Sequence, residues 1–125
     1  MIFTDTIKRN GDFTRVYKNG RHYTGKNLIL YVLKGVQDKN ALGVTASKKA
    51  GNSVRRNRLK RLVKENYRLF EHCVPAGYLF VFVIRSQNEN GNMPGFSDIR
   101  HDMKALLNRA GVFDRQKWEI SCNGA

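Results

Sequence analysis

The sequence is poor in the residues that build disulfides and metal sites. Cys73 and Cys122 are the only cysteines among 125 residues, and they lie far apart without forming a Cys-x-x-Cys pair. This spacing suggests neither a disulfide framework nor a zinc site, and it favours a reduced compartment. The three histidines, His22, His72 and His101, are also too widely separated to suggest a metal ligand set.

Acidic residues are few, ten against 23 Lys and Arg, and they are spread along the chain. A protein that hydrolyses its substrate with two metal ions needs a cluster of carboxylates. His72-Cys73 and His101-Asp102 are only neighbours in sequence, which does not give the geometry of a nucleophile and its base. We therefore predict no catalytic residue in the protein, and the sequence identifies no metal-binding residue.

Long hydrophobic runs are missing. The longest, Tyr78–Ile84, has seven residues, whereas a helix needs about 20 to span a bilayer. The N-terminal segment MIFTDTIKRN lacks the apolar core and cleavage site of a secretory signal. We expect a soluble cytoplasmic protein with no membrane partner. It should fold as one domain over residues 1–125, because 41% hydrophobic residues suffice for one core.

Periodicity and capping residues predict three helices, each followed by a residue that ends it. They run from Asn10 to about Lys18, from Asn52 or Ser53 to about Glu71, and from Ser97 to Ala110, with Gly20, Pro75 and Gly111 after their ends. On the third helix, Ile99, Met103, Leu106 and Leu107 form an apolar stripe that should face the core.

Strand-forming residues predict a sheet between and after these helices. Asn27–Lys34 and Ala41–Ser47 are typical of an antiparallel hairpin, and Arg21–Lys26 adds a weaker edge strand. Tyr78–Ile84 is apolar at every position, so we expect it at the centre of the sheet with both faces covered. Gln87–Gly95 is the clear loop. The order αβββαβα predicts an α+β sandwich, with one sheet and helices packed against it.

Positive charge is concentrated in one segment. Ser47–Arg68 has nine Lys or Arg and one acid, which supplies +8 of the net charge of +13. At 100° per residue, the apolar positions fall within an arc of about 140° that should face the core; they are Leu59, Leu62, Val63, Asn66, Tyr67 and Phe70. The opposite side carries an outward stripe of Asn57, Arg61, Lys64 and Arg68, with Arg58 on its flank.

Cations also crowd the start of this helix, at Lys48, Lys49, Arg55, Arg56 and Arg58. Each cation in a first turn is unfavourable by about 0.3–1 kcal/mol, because the N-terminus is the positive end of the helix dipole. A bound phosphate reverses this effect, since it accepts hydrogen bonds from free backbone N–H groups and from Arg. The segment therefore favours a nucleic acid partner over a solvated basic face. A rigid helix of this kind reads the backbone shape of RNA more readily than its sequence.

The helix start follows an extended pattern: Ser47-Lys48-Lys49, Gly51-Asn52, Val54, Arg56-Asn57-Arg58 and Lys60-Arg61-Leu62. With this pattern the chain closely resembles the bacterial ribonuclease P protein subunit. Asp12-Phe13, Val16-Tyr17, Tyr31 and Arg85 extend the resemblance to a core of about residues 7–112. The implied fold is similar to the second domain of a ribosomal small-subunit protein, with a left-handed strand–helix–strand crossover.

This resemblance implies a function in tRNA maturation. Members of the family bind a large catalytic RNA, the ribonuclease P RNA, and together they remove the 5′ leader of precursor tRNA by Mg²⁺-dependent hydrolysis. The RNA carries the catalytic site, so Mg²⁺ is expected mainly on the RNA, and the protein alone should not cleave. The protein is expected to stabilise the active RNA fold and to bind the leader between its first helix and the sheet. No obligate protein partner is implied.

Position by position, the resemblance assigns RNA contacts to Lys48, Lys49, Arg56, Asn57, Arg58, Lys60, Arg61 and Lys64; helix geometry adds Arg55 and Arg68. The resemblance assigns the leader to Phe13, Tyr17 and Tyr31, which agrees with the stacking of unpaired bases on aromatic rings. Core packing and direct RNA contact both remain open for Phe13, whereas the hydroxyls of Tyr17 and Tyr31 favour the cleft.

The chain departs from the family pattern in two places. The loop 87–95 is longer than usual, and Arg85 is followed by Ser86 rather than by Lys or Pro. The tail 113–125 lies beyond the resemblance and has no strong periodicity, so we expect Trp118 to pack on the sheet.

Two other classes of function remain open on the sequence alone. A ribosomal protein could share this small fold and this charge, and ribosomal RNA would then be its ligand. A stand-alone ribonuclease would need an acid–base pair that the sequence does not offer, and it would continue to cleave after all RNA had been removed.

Overall fold

The computed structural model describes residues 4–35, 38–85 and 94–123. Within these ranges the elements are β1 (Thr4–Thr6), α1 (Asn10–Asn19), β2 (Arg21–Thr24), β3 (Leu28–Lys34), β4 (Asn40–Ala46), α2 (Ser53–Phe70), β5 (Tyr78–Ile84), α3 (Phe96–Arg109) and α4 (Arg115–Asn123). Short 3₁₀ turns at Lys48–Ala50 and Glu71–Cys73 flank α2. Most of the predicted loop 87–95 lies outside the described residues. In the described ranges, no helix has the length and apolar character needed to cross a bilayer.

The five strands form one mixed sheet in the order β1-β4-β5-β3-β2. β3 is antiparallel to β2 and β5, whereas β4 is parallel to β1 and β5. β5 therefore lies at the centre and β2 at an edge, and both predictions are confirmed. The α+β architecture with one sheet is confirmed as well.

The predicted antiparallel hairpin of β3 and β4 is wrong, because β5 lies between the two strands. Tyr31 and Gly43 both pair with Val81, from its opposite sides. β5 is apolar on both faces, and such a strand is buried best at the centre of a sheet, where helices cover its faces and a strand pairs with each of its edges. This preference outweighs the local tendency of consecutive strands to pair. α2 then connects β4 to its parallel neighbour β5, since parallel strands need such a crossover. The left hand of this crossover stays a prediction.

Helices cover the two faces of the sheet unequally. The larger core lies beneath α2 and α3 and contains Leu28, Leu30, Phe80, Phe82, Leu59, Val63, Tyr67, Phe70, Ile99, Met103, Leu106 and Leu107. The predicted apolar faces of both helices are thus confirmed, with Leu62 partly buried at the margin. On the opposite face α1 covers a smaller cluster, which includes Val16 and Val81.

Of the three predicted helix caps, the one on α2 is confirmed. The Asn52 Oδ1 accepts a hydrogen bond from a backbone N–H of the first turn at 2.9 Å. The other two caps are wrong, because Asn10 and Ser97 both lie inside their helices. At the start of α3 the Asp98 carboxylate instead accepts a hydrogen bond from the Gly95 N–H at 2.9 Å. A carboxylate at this helix position can reach back and close the first turn.

β1 is a strand that the sequence does not predict, because three residues are too few to show a period. It is held by parallel pairing with β4 and by a hydrogen bond of 2.9 Å between Thr4 Oγ1 and the Tyr67 hydroxyl. Burial raises the pKa of this hydroxyl, and the Glu71 carboxylate raises it further, against the opposing effect of hydrogen bonds with Thr4 and Asn40. Tyr67 thus remains neutral in the folded protein at ordinary pH.

α4 also lies outside the predicted elements. Its first turn is capped by Asp114, whose Oδ1 accepts a hydrogen bond from the Lys117 N–H at 3.1 Å. Trp118 packs against Phe70 at the end of α2, with ring centroids 4.8 Å apart, and against Phe113 at 6.2 Å. The expectation that Trp118 would pack on the sheet is therefore wrong, because its ring contacts are with Phe70 at the end of α2 and with Phe113 before α4.

A buried carboxylate holds the turn between β2 and β3. Asp102 of α3 accepts hydrogen bonds from the backbone N–H groups of Lys26, Asn27 and Leu28, at 3.1, 2.9 and 3.0 Å. Gly25 is required at this turn, because a Cβ atom on it would lie 2.5 Å from the Asp102 Oδ1. α3 thereby fixes the edge of the sheet that β2 forms.

Candidate RNA interface

The chain turns from β4 into α2 through residues with separate structural tasks. The Ser47 Oγ accepts a hydrogen bond from the Lys49 N–H at 3.2 Å and begins the 3₁₀ turn. Ala50 is fully buried beneath this turn. Gly51 has a φ of +122°, a conformation that favours glycine, and a side chain there would collide with Arg55. These small residues place the cations around the start of α2.

The predicted cationic residues cover the outer surface of α2 and the turn before it. Lys49, Asn57, Arg58, Arg61, Lys64 and Arg68 are exposed, and Arg55, Arg56 and Lys60 are partly buried. Lys48 belongs to the 3₁₀ turn, but its side chain lies outside the described residues. Within the part of the chain that the structure describes, Arg58, Arg61, Lys64 and Arg68 form no ion pair. The predicted outward stripe is confirmed, while its contact with RNA stays a prediction.

The first turn of α2 contains no acidic residue, so no carboxylate within that turn offsets the positive end of the helix dipole. Backbone N–H groups in a first turn lack the usual partner inside the helix; the Asn52 side chain accepts a hydrogen bond from the N–H of Arg55, and the Asn52 carbonyl accepts one from that of Arg56, both at 2.9 Å. The Arg56 Nε is buried and, among the described residues, has no hydrogen-bond partner. An anion such as a phosphate would satisfy both the N–H groups and the guanidinium groups.

Aromatic side chains meet on the other face of the sheet, beside α1. Tyr17 of α1 and Tyr31 of β3 meet edge-on, with ring centroids 4.9 Å apart, and Phe13 lies 6.3 Å from Tyr17. Tyr17 is 40% exposed, and its hydroxyl lies 3.4 Å from the Thr45 Oγ1 of β4. We call Phe13, Tyr17 and Tyr31 the aromatic cleft. The structure brings all three together, and their role toward RNA stays a prediction.

Phe13 is a partly buried ring of the aromatic cleft. A Cβ atom on Gly43 of β4 would lie 2.5 Å from the Phe13 Cε1, so the missing side chain of Gly43 makes room for this ring. Phe13 also packs against the cluster that contains Val16 and Val81. Of the two uses left open for Phe13, this geometry favours packing; Tyr31 packs against the same cluster and is also partly buried, whereas Tyr17 is the exposed ring.

His22 is a neighbour of the aromatic cleft that the sequence did not single out for this surface. It pairs directly with Tyr31 across the β2–β3 ladder, and the two ring centroids lie 5.7 Å apart. The alternation of side chains along β2 shows which residues share a face with His22. Only the register between β2 and β3 places His22 opposite Tyr31.

β4 joins the aromatic cleft to the cationic helix start. Gly43 and Thr45 contact the cleft, and the strand then leads through Ser47 into the turn that carries Lys49. The two surfaces are therefore adjacent along one strand of the sheet. This arrangement suits a single RNA strand that contacts both.

Other residues near these surfaces have structural partners. Arg85 at the end of β5 donates a hydrogen bond from Nη1 to the Gly25 carbonyl at 2.6 Å, and so braces the turn after β2. Across residues 4–35, 38–85 and 94–123, no group of three or more His, Cys, Asp or Glu side chains is placed to hold a metal ion.

One mixed sheet, with a cationic helix on one face and an aromatic cleft on the other, defines a small α+β protein suited to holding a polyanion. The family model for ribonuclease P matches residues 3–111. The chain is 41% identical over 109 residues to the ribonuclease P protein component of Clostridium botulinum, covering 86% of this chain and 96% of the relative. It is 36% identical over 110 residues to that of Clostridioides difficile, covering 87% and 94%.

Solved structures agree with this match. The Staphylococcus aureus RNase P protein aligns with a TM-score of 0.76 at 29% identity, covering 86% of this chain and 96% of that protein. The RNase P protein from Thermotoga maritima aligns with a TM-score of 0.74 at 27% identity, covering 84% and 96%. The chain therefore belongs to the ribonuclease P protein family, as its sequence pattern predicted, and its function lies in that ribonuclease.

Proposed function

We propose that this chain is the protein subunit of a ribonuclease P ribonucleoprotein. It binds the catalytic RNA through the outer surface of α2 and the 5′ leader of precursor tRNA through the aromatic cleft. By holding both, it promotes the Mg²⁺-dependent removal of the leader. The observation that carries this proposal is the presence of two different surfaces on one sheet: the outward stripe of α2, where Arg58, Arg61, Lys64 and Arg68 form no ion pair among the described residues, and tyrosine rings that meet beside α1.

The α2 surface supports binding to a structured RNA. Its exposed cations, such as Arg61 and Lys64, lie on one side of a rigid helix. The major groove of an RNA duplex is too narrow for side chains to read its bases, so such a helix contacts mainly phosphates and riboses. These contacts fix the position of the protein on the RNA and supply most of its affinity.

The aromatic cleft supports binding to a single strand. Stacking of one unpaired base on an aromatic ring contributes about 1–3 kcal/mol, and it tolerates different bases. Tyr17 and Tyr31 offer such rings, and the cationic turn at Lys49 follows along β4 to hold the backbone. A 5′ leader is single-stranded and varies in sequence, which matches this kind of contact.

We assign the catalytic step and the Mg²⁺ to the RNA subunit. Mg²⁺ is usually held by one or two carboxylates together with phosphates and water, and the RNA supplies phosphates in abundance, which supports this assignment. The cytoplasmic location and the organisation as one domain stay predictions. The alternative of a ribosomal protein loses its support, because the matching family is that of ribonuclease P.

The proposal is tested by reconstitution. The protein is mixed with a bacterial ribonuclease P RNA and precursor tRNA at low Mg²⁺, and leader removal is compared with that by the RNA alone. We expect faster cleavage with the protein, and an unchanged rate would refute the proposal. The same protein freed of all RNA should not cleave; persistent cleavage would instead indicate a stand-alone ribonuclease.

Leader binding has a separate test. Tyr31→Ala should weaken binding of precursor tRNA by roughly 5- to 150-fold, the equivalent of one stacked base. Mature tRNA lacks the leader and serves as the matched control, so its affinity should change little. Equal losses for both substrates, measured with the reconstituted complex, would contradict a leader site at the aromatic cleft.

A further inference from the structure

A second concave surface lies on the face of the sheet away from the aromatic cleft. It is a cavity of about 330 Å³, where β2, β3 and β5 meet the end of α3. On β2, Arg21 and Tyr23 pair with Val32 and Leu30, which are buried in the core beneath the helices. Paired side chains share a face of the sheet, so Arg21 and Tyr23 lie on the opposite side from Tyr31.

Lys34 of β3 and Tyr78 of β5 complete the lining from the sheet. They are register partners at the ends of their strands, and alternation puts both on the helix-covered face. We call Arg21, Tyr23, Lys34 and Tyr78 the tyrosine pocket; Gly111 and Val112, just after α3, close it on the helix side.

Neighbouring residues hold both tyrosine rings of the pocket in place. Tyr78 stacks on the buried Phe80, with ring centroids 6.0 Å apart and planes inclined by 20°. The guanidinium of Arg109 lies 5.9 Å from the centroid of the Tyr23 ring. Both tyrosines are half-buried, so each ring is fixed and still reaches the cavity. Fixed, accessible rings of this kind are the surfaces on which nucleic acid bases stack.

The charge of the tyrosine pocket is positive. Arg21 and Lys34 are exposed, and the described residues that line the cavity include no Asp or Glu. Neither cation forms an ion pair within the described ranges. Cations beside aromatic rings are the usual arrangement for holding a phosphate and its base together.

The size of the cavity limits what it can hold. Its volume of about 330 Å³ lies near the lower end of the range of small-molecule sites, about 300–1,000 Å³. A single base with its sugar and phosphate is a ligand of this class, whereas a duplex is too large. The larger cavity of about 540 Å³ beside the start of α4 is a weaker candidate for an anion, because Asp114 lies among its cations.

We propose that the tyrosine pocket binds one nucleotide unit, with the base against Tyr23 and Tyr78 and the phosphate held by Arg21 and Lys34. The unit is either a free nucleotide or one residue of an RNA strand, since both have the same base, sugar and phosphate. The pocket and the aromatic cleft lie on opposite faces of the sheet, so this proposal does not depend on leader binding.

Amide NMR spectra of the full chain, without any ribonuclease P RNA, test the proposal. Adenosine 5′-monophosphate and inorganic phosphate are titrated separately, because phosphate alone is also expected to bind the start of α2. The nucleotide should shift amides at β2, Lys34, Tyr78 and Gly111 beyond the shifts that phosphate produces. Shifts from the nucleotide that are confined to α2 and the aromatic cleft would overturn the proposal.

Variants assign the binding to side chains. Arg21→Ala with Lys34→Ala should weaken binding of adenosine monophosphate by about tenfold or more, as expected for the loss of charge-assisted hydrogen bonds. Arg115→Ala with Lys117→Ala removes the same charge from α4 and is the matched control. A loss no greater than that of the control would overturn the proposal. A loss caused instead by Tyr17→Leu with Tyr31→Leu would overturn it too, because it would place the nucleotide in the aromatic cleft.

The source of the nucleotide is settled by competition with a four-residue single-stranded adenylate. If this RNA binds the same amides more tightly than the monophosphate, the pocket takes an RNA strand. If it does not compete, the pocket takes a free nucleotide. Both results support the proposal, and the reconstitution assay judges leader removal independently. Thermal unfolding of each variant confirms that it is folded.

Discussion

The sharpest prediction concerns the salt dependence of RNA binding by α2. Arg61 and Lys64 are exposed, lie outside the core and form no ion pair with the described residues. Replacing both with Ala, the best helix former, should leave α2 folded. The double variant Arg61→Ala, Lys64→Ala should therefore lose affinity for the catalytic RNA through lost phosphate contacts alone.

The expected magnitude follows from counterion release. Each lost phosphate contact reduces the slope of log affinity against log salt by roughly 0.7–0.9, so two contacts reduce it by roughly 1.4–1.8. Over a fivefold rise in salt, from about 0.1 to 0.5 M, the advantage of the unsubstituted protein should shrink by roughly 10- to 20-fold. At high salt the two proteins should bind almost equally well.

The assay is equilibrium binding of the protein to ribonuclease P RNA at several concentrations of monovalent salt. Arg115→Ala with Lys117→Ala is again the matched control, because it removes two exposed cations from α4, away from the stripe. Its slope should stay close to that of the unsubstituted protein. The reasoning is refuted if the α2 variant keeps the original slope, or if the control flattens the slope equally, since charge alone would then explain binding.

Three further predictions concern stability. Asp102→Ala removes the acceptor for three backbone N–H groups and leaves that of Leu28 buried, so urea unfolding should show a loss of about 2–4 kcal/mol. Gly51→Ala should destabilise by about 1–3 kcal/mol because of its positive φ, whereas Gly11→Ala, with open space around it, should not destabilise. Because burial raises the pKa of Tyr67, its contribution to stability is complete below about pH 10 and is lost as the pH rises through its folded value. Unfolding measured between about pH 8 and 11 should show this loss, and Tyr67→Phe should remove it.

Elements with strong local signals were predictable from the sequence. The helix period and the cap at Asn52 define α2, and the period alone gives its buried and outward sides. Tyr78–Ile84 is apolar throughout, which predicts a central strand. In both elements the stabilising interactions are between residues close together in the sequence, or come from burial of one continuous apolar segment, so the local pattern is enough to predict them.

Elements decided by distant contacts were not predictable. The order of the sheet depends on where β5 inserts, and no local feature of β3 or β4 excludes a hairpin. β1 exists through its pairing with β4, and α4 is held by Trp118 against Phe70. The cap of α3 differs for a local reason, because the Asp98 carboxylate reaches back to the Gly95 N–H and the helix begins before Ser97.

The candidate site divides in the same way. The cations of α2 follow from one helix and its dipole, so geometry alone points to a polyanion. The aromatic cleft joins α1 to β3, so no local pattern predicts the contact of Tyr17 with Tyr31, and only the family resemblance points to these residues. His22 and the tyrosine pocket depend on the register of β2 with β3, which only the fold supplies.

The continuity of β4 limits the distance between the aromatic cleft and the cationic turn before α2. Four peptide units separate Thr45, beside Tyr17, from Lys49 at the cationic turn, and a chain of that length spans at most about 14 Å. No flexible linker intervenes, because β5 pairs with β4 as far as Ala46, the Ser47 N–H donates a hydrogen bond to the Ile84 carbonyl at 3.2 Å, and the 3₁₀ turn follows at once. A nucleic acid that touches both surfaces must therefore match a spacing built into the backbone. One inserted residue in this stretch would change that spacing and also turn the side chains of β4 to the wrong face.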